Sequence, residues 1–293
     1  MHRQRILRLS TALLVASATL VSAQVQLPSA PMKQFGAGVT PAWEGWFDNP
    51  DGTHSFLIGY YNRNTASALD VPIGVDNGFE PGDPDRGQPT HFLPGRQWGM
   101  FTVTVPKEFS KSQRISWKLT VAGVTTTIPF SLQDEYNISP LKGSNDGPDG
   151  SYNLPPILRF SATGPSFTGP VGTIAKAISR TAVVGTPMPL ELWIDDDARF
   201  SGAGSGPRTP PARLRVDKYR GPGTVTLSSP RLSVDTLKGG KPMEPYSGKA
   251  ATALIFSQAG DYVVQVIVND YSGNGGGGFG CCWTTAMVRV SVQ

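Results

Sequence analysis

Cys281 and Cys282 are adjacent and are the only cysteines in the chain. Side by side, two thiols can form a vicinal disulfide, pack as small buried hydrophobes, or look outward to an intermolecular bond or a soft metal. The last option needs partners that this chain does not supply. Cα atoms joined by a trans peptide lie about 3.8 Å apart, below the usual ~4.4 to 6.8 Å of bridged cysteines, so a vicinal bridge closes a tight ring that stiffens its loop. That bridge is the expected state. With no Cys-x-x-Cys spacing, its expected role is to lock the last loop onto the final strand rather than to run redox chemistry. Phe279 and Trp283 flank the pair, so Phe279, Cys281, Cys282 and Trp283 make up the candidate ligand-contact cluster, provided that the aromatics project outward rather than tuck over the end of the fold. Gly273 to Gly280, just before it, superficially suggests a phosphate loop. It lacks a Lys-Ser/Thr ending and no helix follows, so a mobile connection is expected.

Other chemistries find thin support. His54 and His91 are the only histidines after residue 23, too few and too unpatterned for a zinc site, and no Gly-x-Ser-x-Gly elbow offers a nucleophile. Acidic runs at Asp76 to Asp85 and Asp195 to Asp197 could feed a calcium ion, which wants six to eight oxygens, but neither has EF-hand spacing and both are expected to be solvated turns. No catalytic residue, metal ligand or cofactor is therefore assigned. A carboxylate pair for glycoside hydrolysis is placed by fold rather than by spacing, which leaves a carbohydrate-active enzyme as an alternative function. Trp43, Trp46, Phe47, Tyr60, Tyr61, Phe92 and Trp98 would be its sugar platform, although alternation sends about half of them inward and sets Tyr60 and Tyr61 on opposite faces.

The elements that must carry these groups are strands. Apolar residues recur at every second position in Phe101 to Val105, Ile115 to Val121 and Val288 to Val292, the pattern of one buried and one wet face. Turn-forming clusters at Asp48 to Gly52 and Ala122-Gly123 sit between them. Gly and Pro, 34 and 26 of 293 residues, make up about a fifth of the chain against a usual ~12%, which leaves little room for long helices. Gly172 to Arg180 reads as a lead-in and strand, with a short helix as its competitor. The expected fold is all-β, with two antiparallel β-sandwich domains over residues 24–133 and 157–293, separated by a Gly-, Pro- and Asp-rich linker at 134–156. Asp195 to Ala212 is expected to be a long loop within the second domain.

Near the C-terminus, Gly260, Tyr262, Val264 and Val266, with Asp270 after the apolar pair Ile267-Val268, open a strand behind a Gly-Asp turn, and an alternating strand closes the chain. This order resembles the last strands of immunoglobulin-like domains, and most closely the bacterial PKD-like domains. The resemblance implies a sandwich in which Tyr262 forms a tyrosine corner, its hydroxyl serving a backbone group of the preceding connection. It also implies an extracellular module for binding, adhesion or spacing, with Gly273 to Gly280 as the connection that serves as a binding loop in variable immunoglobulin domains. Val264 stands where antibody domains place an inter-sheet cysteine, so apolar packing alone must hold this core.

Residues 1–23 have the order of a signal peptide: Arg3, Arg5 and Arg8, an apolar run from Leu9 to Val21, then small residues before Gln24. That run is too short to cross a bilayer, and no later segment approaches the ~20 apolar residues required, so no transmembrane segment is expected after cleavage. Loss of those three arginines lowers the formal charge from +4 to +1. Lys and Arg elsewhere are scattered singly, which argues against nucleic acid as a partner. The expected protein is secreted or periplasmic and non-catalytic, and serves binding, adhesion or cell-envelope scaffolding with an extracellular protein or polysaccharide as partner. A thiol- or copper-handling protein is the remaining alternative.

Overall fold

Alternating apolar residues build paired extended chain throughout a computed structural model that describes residues 31–143, 152–199, 212–229, 232–239, 241, 244–270 and 281–293. The signal-like segment, Gly273 to Gly280 and Phe279 lie outside the described residues. The first half contains β1 (Val39–Asp48), β2 (His54–Asn62), β3 (Leu69–Asp70), β4 (Asn77–Glu80), β5 (His91–Phe92), β6 (Gly95–Val105), β7 (Ile115–Val121) and β8 (Val124–Phe130). Sheet β1-β2-β6 faces sheet β4-β7-β8, and β3 pairs with β5. Between the two larger sheets lies a core that includes Phe56, Ile58, Tyr60, Phe79, Phe101, Val103, Trp117, Leu119 and Phe130.

The second half contains β9 (Ile157–Arg159), β10 (Phe167–Thr168), β11 (Ile178–Ala182), β12 (Met188–Asp196), β13 (Arg213–Arg220), β14 (Val225–Leu227), β15 (Asp235–Lys238), β16 (Tyr246–Phe256), β17 (Gly260–Asn269) and β18 (Trp283–Val292). One sheet runs β10-β9-β12-β16-β14, with β15 also on β16, and the other runs β11-β18-β17-β13. This is the strand distribution of an immunoglobulin-like sandwich. Between the named strands every pairing is antiparallel except that of β11 with β18, which is parallel. The chain passes from one sheet to the other between β10 and β11, through a single 3-10 turn at Ile174–Lys176, and so enters the second sheet alongside β18 in the same direction. Gly172 to Arg180 thus contains both the short turn and the strand.

Tyr262 is buried at the start of β17, and its hydroxyl accepts from the Gly223 N–H at 2.9 Å and donates to the Gln258 carbonyl at 2.8 Å. This is the corner that the sequence led us to expect. Gly221 makes room for it, since a Cβ at this positive-φ position would collide with the Tyr262 ring. Tyr262→Phe should cost about 1 kcal/mol, because two half-exposed backbone groups fall back on water. The urea midpoint should drop while the m-value stays unchanged.

Alternation describes β7 well, but β2, β17 and most of β18 are buried on both faces. The reason is that the outer face of β1-β2-β6 packs against the outer face of β11-β18-β17-β13, so the two sandwiches stack. Phe47 and Leu57 from the first half meet Trp283 from the second, with Ile138, Val171 and Ile267 around them. Polar contacts flank this seam. Gln265 Nε2 donates to the Met100 carbonyl at 2.6 Å, Arg215 Nη1 to Gln97 Oε1 at 3.0 Å, and Tyr219 Oη to the Gly87 carbonyl at 2.6 Å. Residues Pro31–Gln293 accordingly form one compact unit.

Two expectations need correcting. Asp76 to Asp85 is not wholly a solvated turn, because Asn77–Glu80 forms β4 and both Asn77 and Phe79 are buried. Phe79 has the aromatic core to fill, and that gain outweighs the turn preference of its acidic neighbours. Nor is Asp195 to Asp197 a solvated turn: β12 continues through Asp196, which is buried because it follows the inward parity of Leu190, Leu192 and Ile194.

Candidate functional site

At one end of the second sandwich, β18 begins beside the vicinal cysteines. Cys281 and Cys282 form a disulfide, both fully buried. The peptide between them is cis, where a trans peptide had been assumed. Their sulfurs lie 3.7 and 3.5 Å from the Asn153 carbonyl oxygen, which also accepts the Gly143 N–H at 2.8 Å. The Cys282 carbonyl accepts the Asp270 N–H at 3.3 Å. Trp283 pairs with Asn269 across the sheet and is buried against Phe47 and Leu57. Of the expected contact cluster, the fold therefore brings Cys281, Cys282 and Trp283 together and turns them inward. Trp283 tucks into the seam because the first sandwich covers the face on which it stands.

The same end gathers groups that the residue pattern did not single out. Tyr262, Val264, Val266 and Val268 point into the core from β17, and Asp270 follows in the same parity. On the facing sheet, Asp196 follows Ile194 in the same way. Each carboxylate thus ends an inward-facing apolar series, one on each sheet, which is the signal that could have found the pair. Asn153, 2% exposed, donates from Nδ2 to Asp270 Oδ2 at 2.7 Å. Asp196 Oδ1 accepts the Ala198 N–H at 2.8 Å, whereas Asp196 Oδ2 and Asn153 Oδ1 are buried with no hydrogen-bond partner. Asp197 is occupied by the Leu154 and Arg199 N–H groups, each at 3.0 Å. Asp195 binds Arg159 and Ser247. Burial, with the Asp270 and Asp197 charges added to it, pushes the Asp196 carboxyl up to about 8 against the pull of the Ala198 N–H.

Elsewhere, the groups that could do chemistry are held by structural partners. His54 Nδ1 lies 2.6 Å from Asp48, and His91 Nδ1 lies 2.8 Å from Asp70, which also takes buried Lys218 at 3.0 Å. In the acidic run, Asp85 grips Arg220 through two bonds of 2.8 and 2.7 Å across the seam. Among the proposed platform aromatics, Trp46, Phe47, Tyr60 and Phe92 are core, while Trp98 is 38% exposed beneath the Arg96 guanidinium, 3.8 Å from its ring. Tyr60 and Tyr61 do lie on opposite faces, with Tyr60 fully buried and Tyr61 half-buried. A recess of about 520 Å³ lies where the Asp85 and Arg220 pair meets β11, β17 and β18, and Arg180 and Arg289 line it. No helix among the described residues is long and apolar enough to cross a membrane.

No protein-family model and no curated protein matches the chain. Solved structures overlap it loosely. Domains 4 and 5 of the S-layer protein SbsC share 12% identity at a TM-score of 0.22, covering 87% of this chain and 98% of that one. The titin structure Titin-A168169 shares 9% identity at a TM-score of 0.21, covering 86% and 98%. Neither overlap is close enough to assign this chain a family or a role.

Proposed function

We infer that this chain is an exported, non-catalytic β-sandwich protein that serves binding, adhesion or scaffolding at the cell envelope. The seam between the two sandwiches carries this reading. Phe47, Leu57 and Trp283 are almost fully buried there, and a rigid body of stacked sheets suits bearing load or presenting a surface more than opening around a substrate. Export is supported by the order of residues 1–23. The thiol-handling alternative requires accessible sulfur, and both sulfurs are buried and bonded to each other.

The partner is an extracellular protein or polysaccharide. Arg180 and Arg289, which form no salt bridge with a described residue, outnumber Asp261, the one acid of the recess besides the Arg220-bound Asp85, and make the recess between the halves the face for an anionic group on that partner. Co-sedimentation of the mature protein with isolated cell envelopes tests this directly. Retention that weakens severalfold in the Arg180→Glu/Arg289→Glu double variant is the expected result. Failure to bind envelopes, or turnover of a polysaccharide substrate, would overturn the reading.

A further inference from the structure

We propose that the recess beside the Asp85 and Arg220 pair binds a uronate unit of an acidic polysaccharide, which rests on the reading above that this recess receives an anionic group. Strand register builds its floor. Ser179 of β11 pairs with Arg289 of β18, Arg289 with Val263 of β17, and Val263 with Arg220 of β13. In the next row Thr181 pairs with Ser291, and Ser291 with Asp261. Paired residues stand about 5 Å apart on one face, as do residues two apart on a strand, so Ser179, Arg289, Ser291 and Asp261 share the outer face of the sheet. The first sandwich covers this face at Val263 and Met287, which pack into its core. Beyond them Ser179, Arg289, Ser291 and Asp261 are exposed. None of these four side chains forms a hydrogen bond or ion pair with a described residue, although all of them line one recess of about 520 Å³. Arg180 stands at the rim, its Nη1 donating to the Ser179 carbonyl at 2.9 Å.

These groups ask for opposite things of one ligand. Arg289 and Arg180 supply positive charge and N–H donors, which suit a carboxylate. Asp261 only accepts, so the same ligand must also bring a donor, and the Ser179 and Ser291 hydroxyls serve in either sense. A uronic acid meets all of this within a single ring, because its carboxylate sits beside several hydroxyls that can donate to Asp261. A sulfate or a phosphodiester brings charge without a donor, and Asp261 repels it. An acidic peptide has N–H donors, but protein partners centre on buried aromatic or aliphatic anchors. The recess has no pocket for one: Val263, Val290 and Tyr262 are 8%, 1% and 1% exposed, which leaves half-buried Ile174 as the remaining apolar side chain of the lining. Asp85 and Arg220 satisfy each other through bonds of 2.8 and 2.7 Å and form the wall on the side of the first sandwich.

The test is calorimetric titration of the mature full chain with trimers of galacturonate, glucuronate and mannuronate, beside neutral galactotriose, tri-glutamate and sodium sulfate at matched ionic strength. At least one uronate trimer should bind about tenfold more tightly than galactotriose and tri-glutamate. Asp261→Ala then separates the readings by sign. Loss of an acceptor for a sugar hydroxyl weakens uronate binding about tenfold, whereas removing a negative charge from a bare anion patch strengthens it. Arg289→Met should weaken it by about tenfold or more. Asp76→Ala, exposed on the first sandwich and outside the recess, should leave it unchanged. Since Asp261 and Arg289 are exposed, their variants should melt with the wild type. The proposal is overturned if no uronate trimer binds, if tri-glutamate or sulfate binds as tightly, or if Asp261→Ala binds uronate more strongly. Envelope retention that still depends on Arg180 and Arg289 would then leave the anionic partner standing, and loss of that retention would remove both readings.

Discussion

Trp117→Ala is expected to cost about 3 to 5 kcal/mol, the range for removing a fully buried aromatic from a core. The Trp117 ring is wholly enclosed, stacked on Phe79 at a centroid distance of 5.8 Å and met edge-on by Phe101 at 5.3 Å. Its Nε1 donates at 2.9 Å to Asn77 Oδ1, and the Asn77 amide in turn donates to the Val71 and Pro89 carbonyls, each at 2.9 Å. The substitution thus opens a cavity between the facing sheets and strips a buried oxygen of its donor, and the two costs combine. Since the sandwiches share the Trp283 seam, near-ultraviolet and far-ultraviolet signals should still fall together in guanidinium, at a lower midpoint. Trp98→Ala provides the contrast. There the ring is partly exposed and its partner is a guanidinium, so the loss should stay near 0.5 to 1 kcal/mol. Similar midpoints for the two variants would mean that Trp117 does not centre the core.

Arg96→Met is expected to cost about 3 to 5 kcal/mol at pH 9.5 and distinctly less at pH 6, because above its folded pKa it strands a buried carboxylate. Glu44 lies under the sheet surface, with Arg96 Nη2 at 2.7 Å from Oε1 and the Gly99 N–H at 2.7 Å from Oε2. Arg96 also donates from Nη1 to the Tyr60 and Gln97 carbonyls, at 3.0 and 2.8 Å. Gly59 has to lack a side chain, since a Cβ there would collide with Glu44 Oε1. Burial pushes the Glu44 carboxyl up to about 8, opposed by Arg96 and the Gly99 N–H. With its folded value above the ordinary 4.5, the native chain keeps a proton that the unfolded chain has lost, so stability falls as pH rises from about 4.5 to 8. Removing the guanidinium takes away one opposing influence and extends that fall above pH 8, where the wild-type carboxyl is ionised and paired. Urea midpoints at the two pH values, each taken relative to wild type, give the measurement. Glu44→Gln in the Arg96→Met background should flatten the profile. A penalty of equal size at pH 6 and pH 9.5 would show that Glu44 is not the group left unpaired.

These two sites differ in how much the sequence foretells of them. Trp117 belongs to Ile115 to Val121, whose alternation announces a strand with Trp117 on the inward side. Nothing local announces Glu44, because its partner comes from a strand 52 residues away and its burial depends on the β1-β2-β6 sheet being assembled. The candidate site divides in the same way. Adjacency of the only two cysteines put a vicinal disulfide among the states the sequence offers, and the resemblance to immunoglobulin-like domains carried the Tyr262 corner. Asp196 looked like a turn residue because composition reports the preference of an isolated acidic residue, not the parity of the strand that leads into it, and Asp270 stood only as the end of the Tyr262 strand.

Residue order alone determined the all-β class and the strand period, since each follows from neighbours only a few positions apart. Tertiary structure decided which faces stayed wet. It buried Thr102, Leu57 and Trp283 by laying one sandwich on the other, and it brought Asp196, Asp270 and Asn153 to one end from three distant segments. Period-two patterning records that a strand has two sides, whereas the covering of the second side is a contact between surfaces that exist only once both sandwiches have formed.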